Sequence, residues 1–198
     1  MYSAPGTICN RIRFCYTDKK HFPEGGRPMD AMDALFSRRS IRKYTAEAIT
    51  EEVLREILEA AMSAPSAGNQ QSWHFIIIDD RKTLNEVPTF HPHSLMLREA
   101  PVAVLVCGDL HLEKHIGYWV QDCSAATENL LLAVHAKGLG AVWLGIYPRE
   151  ERVAGLRKLL AIPDHVIPFA LVPIGHPAES KPPRSDRYHV LKIHHNRW

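Results

Sequence analysis

Arg38-Arg39-Ser40-Ile41-Arg42 follows an apolar helical turn and precedes the turn-prone Lys43-Tyr44-Thr45. Three guanidiniums and a hydroxyl in so short a span can grip a phosphate, because each planar fork donates paired hydrogen bonds and the hydroxyl serves a remaining oxygen. A short basic run is also what a solvated face looks like. The meaning of the cluster therefore depends on what surrounds it. Upstream, Asp30 is a suitable N-cap and Met32, Leu35 and Phe36 recur at helical spacing, so a short helix delivers the arginines at its end.

Downstream, Thr50 caps a helix over about Thr50 to Ser63, with Glu51 and Glu52 at the positive end of its dipole and Val53, Leu54, Ile57, Leu58 and Ala61 on one apolar face. Ala64-Pro65 ends it. The run Pro65-Ser66-Ala67-Gly68-Asn69-Gln70-Gln71-Ser72 then offers small side chains for close backbone approach, and Ser66, Asn69 and Gln71 as donors and acceptors. A plain polar loop would read the same way. Trp73 to Ile78 is nearly all apolar and reads as a strand buried on both faces, with Asp79-Asp80 leading into a short helix around Lys82 to Val87. Val102 to Gly108 reads as a second buried strand. The longest helix spans about Tyr118 to Lys137, with Val120, Ala126, Leu130, Leu131 and Val134 as its stripe and Gly138 as terminator. Ala141 to Leu144 reads as a strand broken at Gly145, where backbone groups are free to meet something flat. Glu150 to Leu160 is helical. Ile167 to Ile174 is a last strand whose Pro168 and Pro173 suggest an edge or strand-end placement. The proline-rich tail, with Arg184, Arg187 and a terminal Trp198, suits an arm lying across a surface.

The 198 residues suit one domain, 29–198, preceded by a turn-rich extension, 1–28, of no evident role. With 45% hydrophobic and 23% charged residues the chain resembles an ordinary globular protein, and a net charge of +2 argues against nucleic acid as a partner. No run is long enough to span a membrane and no signal-like core opens the chain. Cys9, Cys15, Cys107 and Cys123 show no CxxC spacing, and although Cys9 and Cys15 could pair or bind metal their spacing matches no zinc pattern, so a reduced, cytoplasmic protein is the simplest reading. His91 and His93 lack an acidic or thiol partner at supporting spacing, so no metal is expected.

Four features coincide in order: a helix followed by Arg-Arg-Ser-Ile-Arg, the Pro65 to Phe75 junction, the segment Lys137 to Gly145, and a C-terminal arm with Arg184 and Arg187. Over residues 30 to 198 this set resembles the FMN-dependent nitroreductase family. The resemblance implies an α+β fold with a mixed, largely antiparallel sheet flanked by helices, and a homodimer that exchanges C-terminal arms and holds FMN at its interface. It also implies a ping-pong reaction in which NADH or NADPH reduces the flavin and an electron-poor acceptor, such as a nitroaromatic or quinone, reoxidises it. By that resemblance Arg38, Ser40 and Arg187 fall at the phosphate end and Arg39 and Arg42 beside the ribityl chain and pyrimidine edge, with Arg184 on the arm. Pro65, Ser66 and Ala67 reach the flavin from the neighbouring subunit with Asn69 beside them, and Leu144 and Gly145 approach the ring. No acid, base or nucleophile is implied. The chain departs from the family's frequent Gln-Pro-Trp at Gln71-Ser72-Trp73, which should loosen the junction slightly. It also lacks a long insertion after the second strand, as a compact member would. Flavin reductases, dehalogenating enzymes and a flavin-fragmenting oxidase share the scaffold, and a flavin-binding module without turnover is a further alternative.

Overall fold

In the computed structural model, which describes residues 29–184 and 186–198, the central helix is α4 (Trp119–Ala136). Its buried stripe packs on α2 (Glu51–Met62) and on one face of the sheet. Before it come α1 (Ala31–Ser37), β1 (Trp73–Ile78), α3 (Arg81–Glu86) and β2 (Val102–Asp109). After it come β3 (Gly140–Ala141), β4 (Leu144–Gly145), α5 (Glu150–Leu160) and β5 (Val166–Gly175). The strand order is β1-β2-β5-β3, with β4 also on β5, and all these pairings are antiparallel. A parallel bridge between Ser40 and Ala141 supplies the mixed character.

The sheet separates two apolar cores. Val102, Val104 and Val106 of β2 face α2 and α4, whereas Ala103, Leu105 and Cys107 face α3 and α5. Strict alternation with both faces covered explains why β2 reads as a continuous apolar run. The same expectation fails for β1. His74 and Ile77 are exposed, because β1 is an edge strand paired with β2 alone. An apolar run of six cannot distinguish these two cases.

β5 is the converse correction: it lies inside the sheet, between β2 and the short strands β3 and β4. Its prolines are accommodated by irregularity rather than by an edge. Cys107 pairs with Pro168 while Val106 pairs with Ala170, so Phe169 is the extra residue of a bulge. Phe169 O then accepts from the backbone N–H groups of both Ile146 and Tyr147, each at 3.1 Å. Pro173 stands opposite Val142-Trp143, the break that divides the expected single strand Ala141 to Leu144 into β3 and β4. Gly145 consequently belongs to a strand, paired with Ala170, and does not interrupt one.

Helix ends follow local chemistry. Asp30 accepts from Met32 N at 2.8 Å, and Thr50 caps α2 through Val53 N. At the end of α4, Gly138 takes φ +74°, its N–H reaching His135 O and that of Leu139 reaching Val134 O. These two crossed bonds satisfy the last carbonyls in the way that favours glycine at this position. No described helix is long and apolar enough to cross a membrane. Cys107 and Cys123 are buried free thiols, Cys107 pushed up to about 12 by desolvation; Cys9 and Cys15, like the whole extension 1–28, lie outside the described residues.

Candidate functional site

α1 ends at Ser37 and leaves the backbone extended through Arg38, so the arginines leave the helix and run along β3. Ile41 N donates to Ala141 O at 2.9 Å, which fixes the register of the cluster against the sheet. Ile41 is buried and Arg42 exposed, while Arg38, Arg39 and Ser40 are half-buried. The C-terminal arm closes over them. Thr45 N donates to His176 O and Ala178 N to Lys43 O, both at 2.9 Å. Arg42 N donates to Glu179 Oε1 at 2.6 Å, Lys181 Nζ reaches both Glu179 Oε1 at 2.9 Å and Ser40 O at 2.8 Å, and Arg39 Nη1 bonds Pro182 O. The Arg42 amide and Lys181 hold the Glu179 carboxyl below the usual carboxylate range.

Beyond this strap a cavity of about 330 Å³ is lined by Leu35, Phe36, Arg38, Arg39, Arg184, Arg187 and Tyr188. The structure thus brings together four of the expected arginines, two from the sequence cluster and two from the arm. Their acidic neighbours are few. Arg38 Nε lies 3.5 Å from the half-exposed Glu128 and Arg184 lies 3.7 Å from Asp186, and Arg187 has no acidic partner among the described residues. An excess of planar cationic donors around a hollow is the donor set a phosphate monoester requires. Arg38 also acts inward: its charge, after burial, keeps the neighbouring His135 imidazole below its ordinary pKa. His135 shares a 2.7 Å hydrogen bond with Ser37.

The remaining expected residues do not line this cavity. Leu144 is buried with its side chain in the core beside α3 and α5. Gly145 is exposed, and a side chain added there would meet only open space. Its backbone is not free in the way expected from sequence, since it pairs with β5 and its carbonyl accepts from Arg152 Nη1 at 2.7 Å.

Pro65, Ser66, Ala67 and Asn69 form a separate turn over the start of α4. Asp122, a buried acid in that helix, is its anchor. Oδ1 accepts from Ala67 N at 2.9 Å, and Oδ2 accepts from Gln70 Nε2 at 2.6 Å and Ser72 Oγ at 3.2 Å. Gln70 is itself buried, its Oε1 accepting from Lys114 N at 2.8 Å and His115 N at 3.0 Å. Ser66 Oγ accepts from Gln71 N at 3.0 Å, and Asn69 Oδ1 from Gln71 Nε2 at 3.2 Å. Gly68, Asn69 and Gln71 all take positive φ. At Gly68 the positive φ favours glycine, and a Cβ there would stand 2.3 Å from His115 Nε2, which the exposed imidazole would have to vacate. Ser72, where a family proline was expected, is fully buried; it donates to Asp122 and accepts from Asp109 N at 2.7 Å, so the junction is tied where loosening was anticipated.

Asp122, Gln70, Glu179 and Lys181 escaped sequence reasoning. The signal for Asp122 was present: it sits on the same stripe as Ala126, Leu130 and Val134, where an acid is out of place unless something pairs with it. His91 is buried, and desolvation lowers its pKa, which fits a neutral core histidine.

The antiparallel five-stranded sheet covered by helices, with a cavity lined by four arginines beyond a C-terminal strap, defines an α+β protein. Comparison with known proteins narrows this class. The model of the Nitroreductase family matches residues 35–103 and 90–176. A Methanothermobacter thermautotrophicus protein provisionally named an NADH dehydrogenase/NAD(P)H nitroreductase is 50% identical over 170 residues, covering 86% of this chain and 88% of its own. The crystal structure of a Parabacteroides distasonis protein given the same provisional name aligns with TM-score 0.81 at 40% identity, covering 84% of this chain and 98% of that one. An FMN-dependent nitroreductase from Clostridium difficile aligns with TM-score 0.78 at 28% identity, over 84% of this chain and 99% of that one. The chain belongs to the nitroreductase family.

Proposed function

We propose that this chain is an FMN-dependent oxidoreductase that takes electrons from NADH or NADPH and delivers them to nitroaromatics, quinones or similar electron-poor acceptors. The observation that carries the reading is the convergence of Arg38, Arg39, Arg184 and Arg187 on one cavity, together with relatives named as NAD(P)H nitroreductases and FMN reductases. FMN, when bound, supplies the redox chemistry, accepting a hydride from the nicotinamide and passing electrons to the acceptor.

The residues present suit that cofactor. Arg38 and Arg187 hold the phosphate and Arg39 neutralises charge beside it, while Ser40, next along the extended segment, does not line the cavity and anchors that segment to Ala141 and Lys181 through its backbone. Arg42, whose side chain is exposed while its amide is tethered to Glu179, places a cation near the ring edge and stabilises developing negative charge without moving a proton. Gly145, exposed and with only open space where a side chain would stand, leaves that side of the strand clear for the ring. No side chain need act as nucleophile, acid or base.

The turn Pro65–Asn69 serves the cavity of a second copy. It stands apart from its own arginines, and the arm beyond Arg187 exposes Tyr188, Val190, Leu191, Ile193 and Trp198, apolar surface that a homodimer would cover. Sedimentation should therefore show a dimer; an FMN-loaded monomer would contradict this part of the reading.

The experiment for the whole is anaerobic reduction. Purified protein should be yellow, and its visible bands should bleach on adding NADH or NADPH and return on adding nitroaromatic or quinone. Protein that takes up no FMN would overturn the proposal, and FMN that stays oxidised under both nucleotides would turn it into a binding module.

A further inference from the structure

At the end of the sheet away from the break between β3 and β4, Asp109 closes β2, His111 lies two residues on, and His165 directly precedes β5. Their ligating atoms all lie within 4.8 Å of one another, the one such grouping of three among the described residues. Sequence spacing hides it, because His165 follows more than fifty residues later.

The backbone beneath the three is rigid. Asp109 pairs with Val166 across the β2–β5 ladder, and Leu110 N donates to His165 O at 2.9 Å. His111 N donates to Asp109 Oδ1 at 2.8 Å, which locks the turn. Asp109 is buried, His165 half-buried and His111 exposed, so the group opens to solvent on one side. His74 Nε2 stands 3.0 Å from Asp109 Oδ2 and orients the carboxylate from β1, as an outer partner of a metal ligand does.

We propose that Asp109, His111 and His165 bind a divalent transition-metal ion of the zinc class, with water completing the coordination. Two imidazoles and one carboxylate are a borderline donor set that suits zinc, whereas calcium and magnesium demand oxygen. Tetrahedral zinc with bonds of about 2.0–2.1 Å sets its ligand atoms about 3.3 Å apart, so the group must tighten modestly. The rings of His111 and His165 are stacked, with centroids 4.0 Å apart and planes 6° from parallel. Parallel rings cannot both aim an in-plane lone pair at one ion, so the exposed His111 turns about its side-chain bonds to bind. Bound metal would clamp the end of β2 to the start of β5 and steady the connection through Lys114 and His115 that Gln70 also grips.

The test is equilibrium dialysis of the full-length protein against Zn²⁺, with metal counted per chain, for wild type, His165→Ala, the double variant His111→Ala/His165→Ala and the tail control His194→Ala/His195→Ala. Wild type and control should hold one ion at the same affinity. His165→Ala should bind at least tenfold more weakly, and the double variant at least a hundredfold. Co²⁺ in place of Zn²⁺ should give wild type, but not the double variant, visible bands to the red of any flavin absorption. Equal zinc binding by wild type and the double variant, or no zinc held by wild type at micromolar concentrations, would overturn the proposal. His111→Ala alone completes the series: the position is exposed, so the variant keeps the fold, and it should bind zinc at least tenfold more weakly, with unchanged binding there counting against the proposal.

Discussion

The arginine cluster and the Pro65–Ser72 turn are both polar, but they are held in opposite ways. Around Arg38, Arg39, Arg184 and Arg187 cations outnumber acids and the side chains reach into a cavity. Around Asp122 every carboxylate oxygen is used, and the groups that use them are buried or half-buried. Surplus donors make a place for a ligand, whereas a closed network makes a fixed shape. The first region should therefore tolerate substitution in stability and fail in binding, and the second should do the reverse.

The largest effect should come from the closed network. Asp122→Ala strands the Ala67 N–H, the Gln70 amide and the Ser72 hydroxyl, and should cost about 3–5 kcal/mol of unfolding free energy, since bonds to a charged acceptor are each worth about 1.5–3 kcal/mol and are not fully additive. Urea denaturation measures this, and a loss below about 1 kcal/mol would break the contrast. Next, Arg38→Ala should weaken FMN binding about tenfold while moving the urea midpoint of the FMN-free protein little, because an exposed or half-exposed ion pair such as Arg38–Glu128 contributes only about 0–1 kcal/mol.

Acidification should loosen the strap without unfolding the core. The folded pKa of Glu179 is depressed, so its stabilising contribution is complete above the ordinary carboxylate value and is lost as pH falls through the lower folded value. Protease sensitivity of residues 176–184 should rise in that acidic window, and Glu179→Gln should abolish the pH dependence. The smallest effect belongs to Arg42→Ala, which should retain FMN but lower its reduction potential, read by equilibrium redox titration. Unchanged potential would return Arg42 to an ordinary surface cation.

The same contrast explains what the sequence disclosed. Arginines must be arginines to bind phosphate, so residue type and order exposed the cluster, and strong apolar periodicity exposed α2 and α4. Asp122 looked like one acid among many until the stripe it interrupts was seen to be buried. The sheet edges were hidden for a different reason. Whether Trp73–Ile78 or Ile167–Ile174 lies outside depends on partners distant in the chain, and the bulge at Phe169 and the break at Val142-Trp143, which excuse Pro168 and Pro173, are properties of the pairing. The junction at Ser72 shows the same dependence, since a buried acid on another helix turns an apparent weakness into a tie.

The most direct test is an FMN titration of the wild type and the Arg38→Ala/Arg187→Ala double variant, each with the urea midpoint of its FMN-free form, since bound FMN would itself raise the midpoint. The account predicts stoichiometric FMN in the wild type and at least a tenfold weaker dissociation constant in the double variant, at an essentially unchanged midpoint. Equal FMN affinity in the two proteins would contradict it.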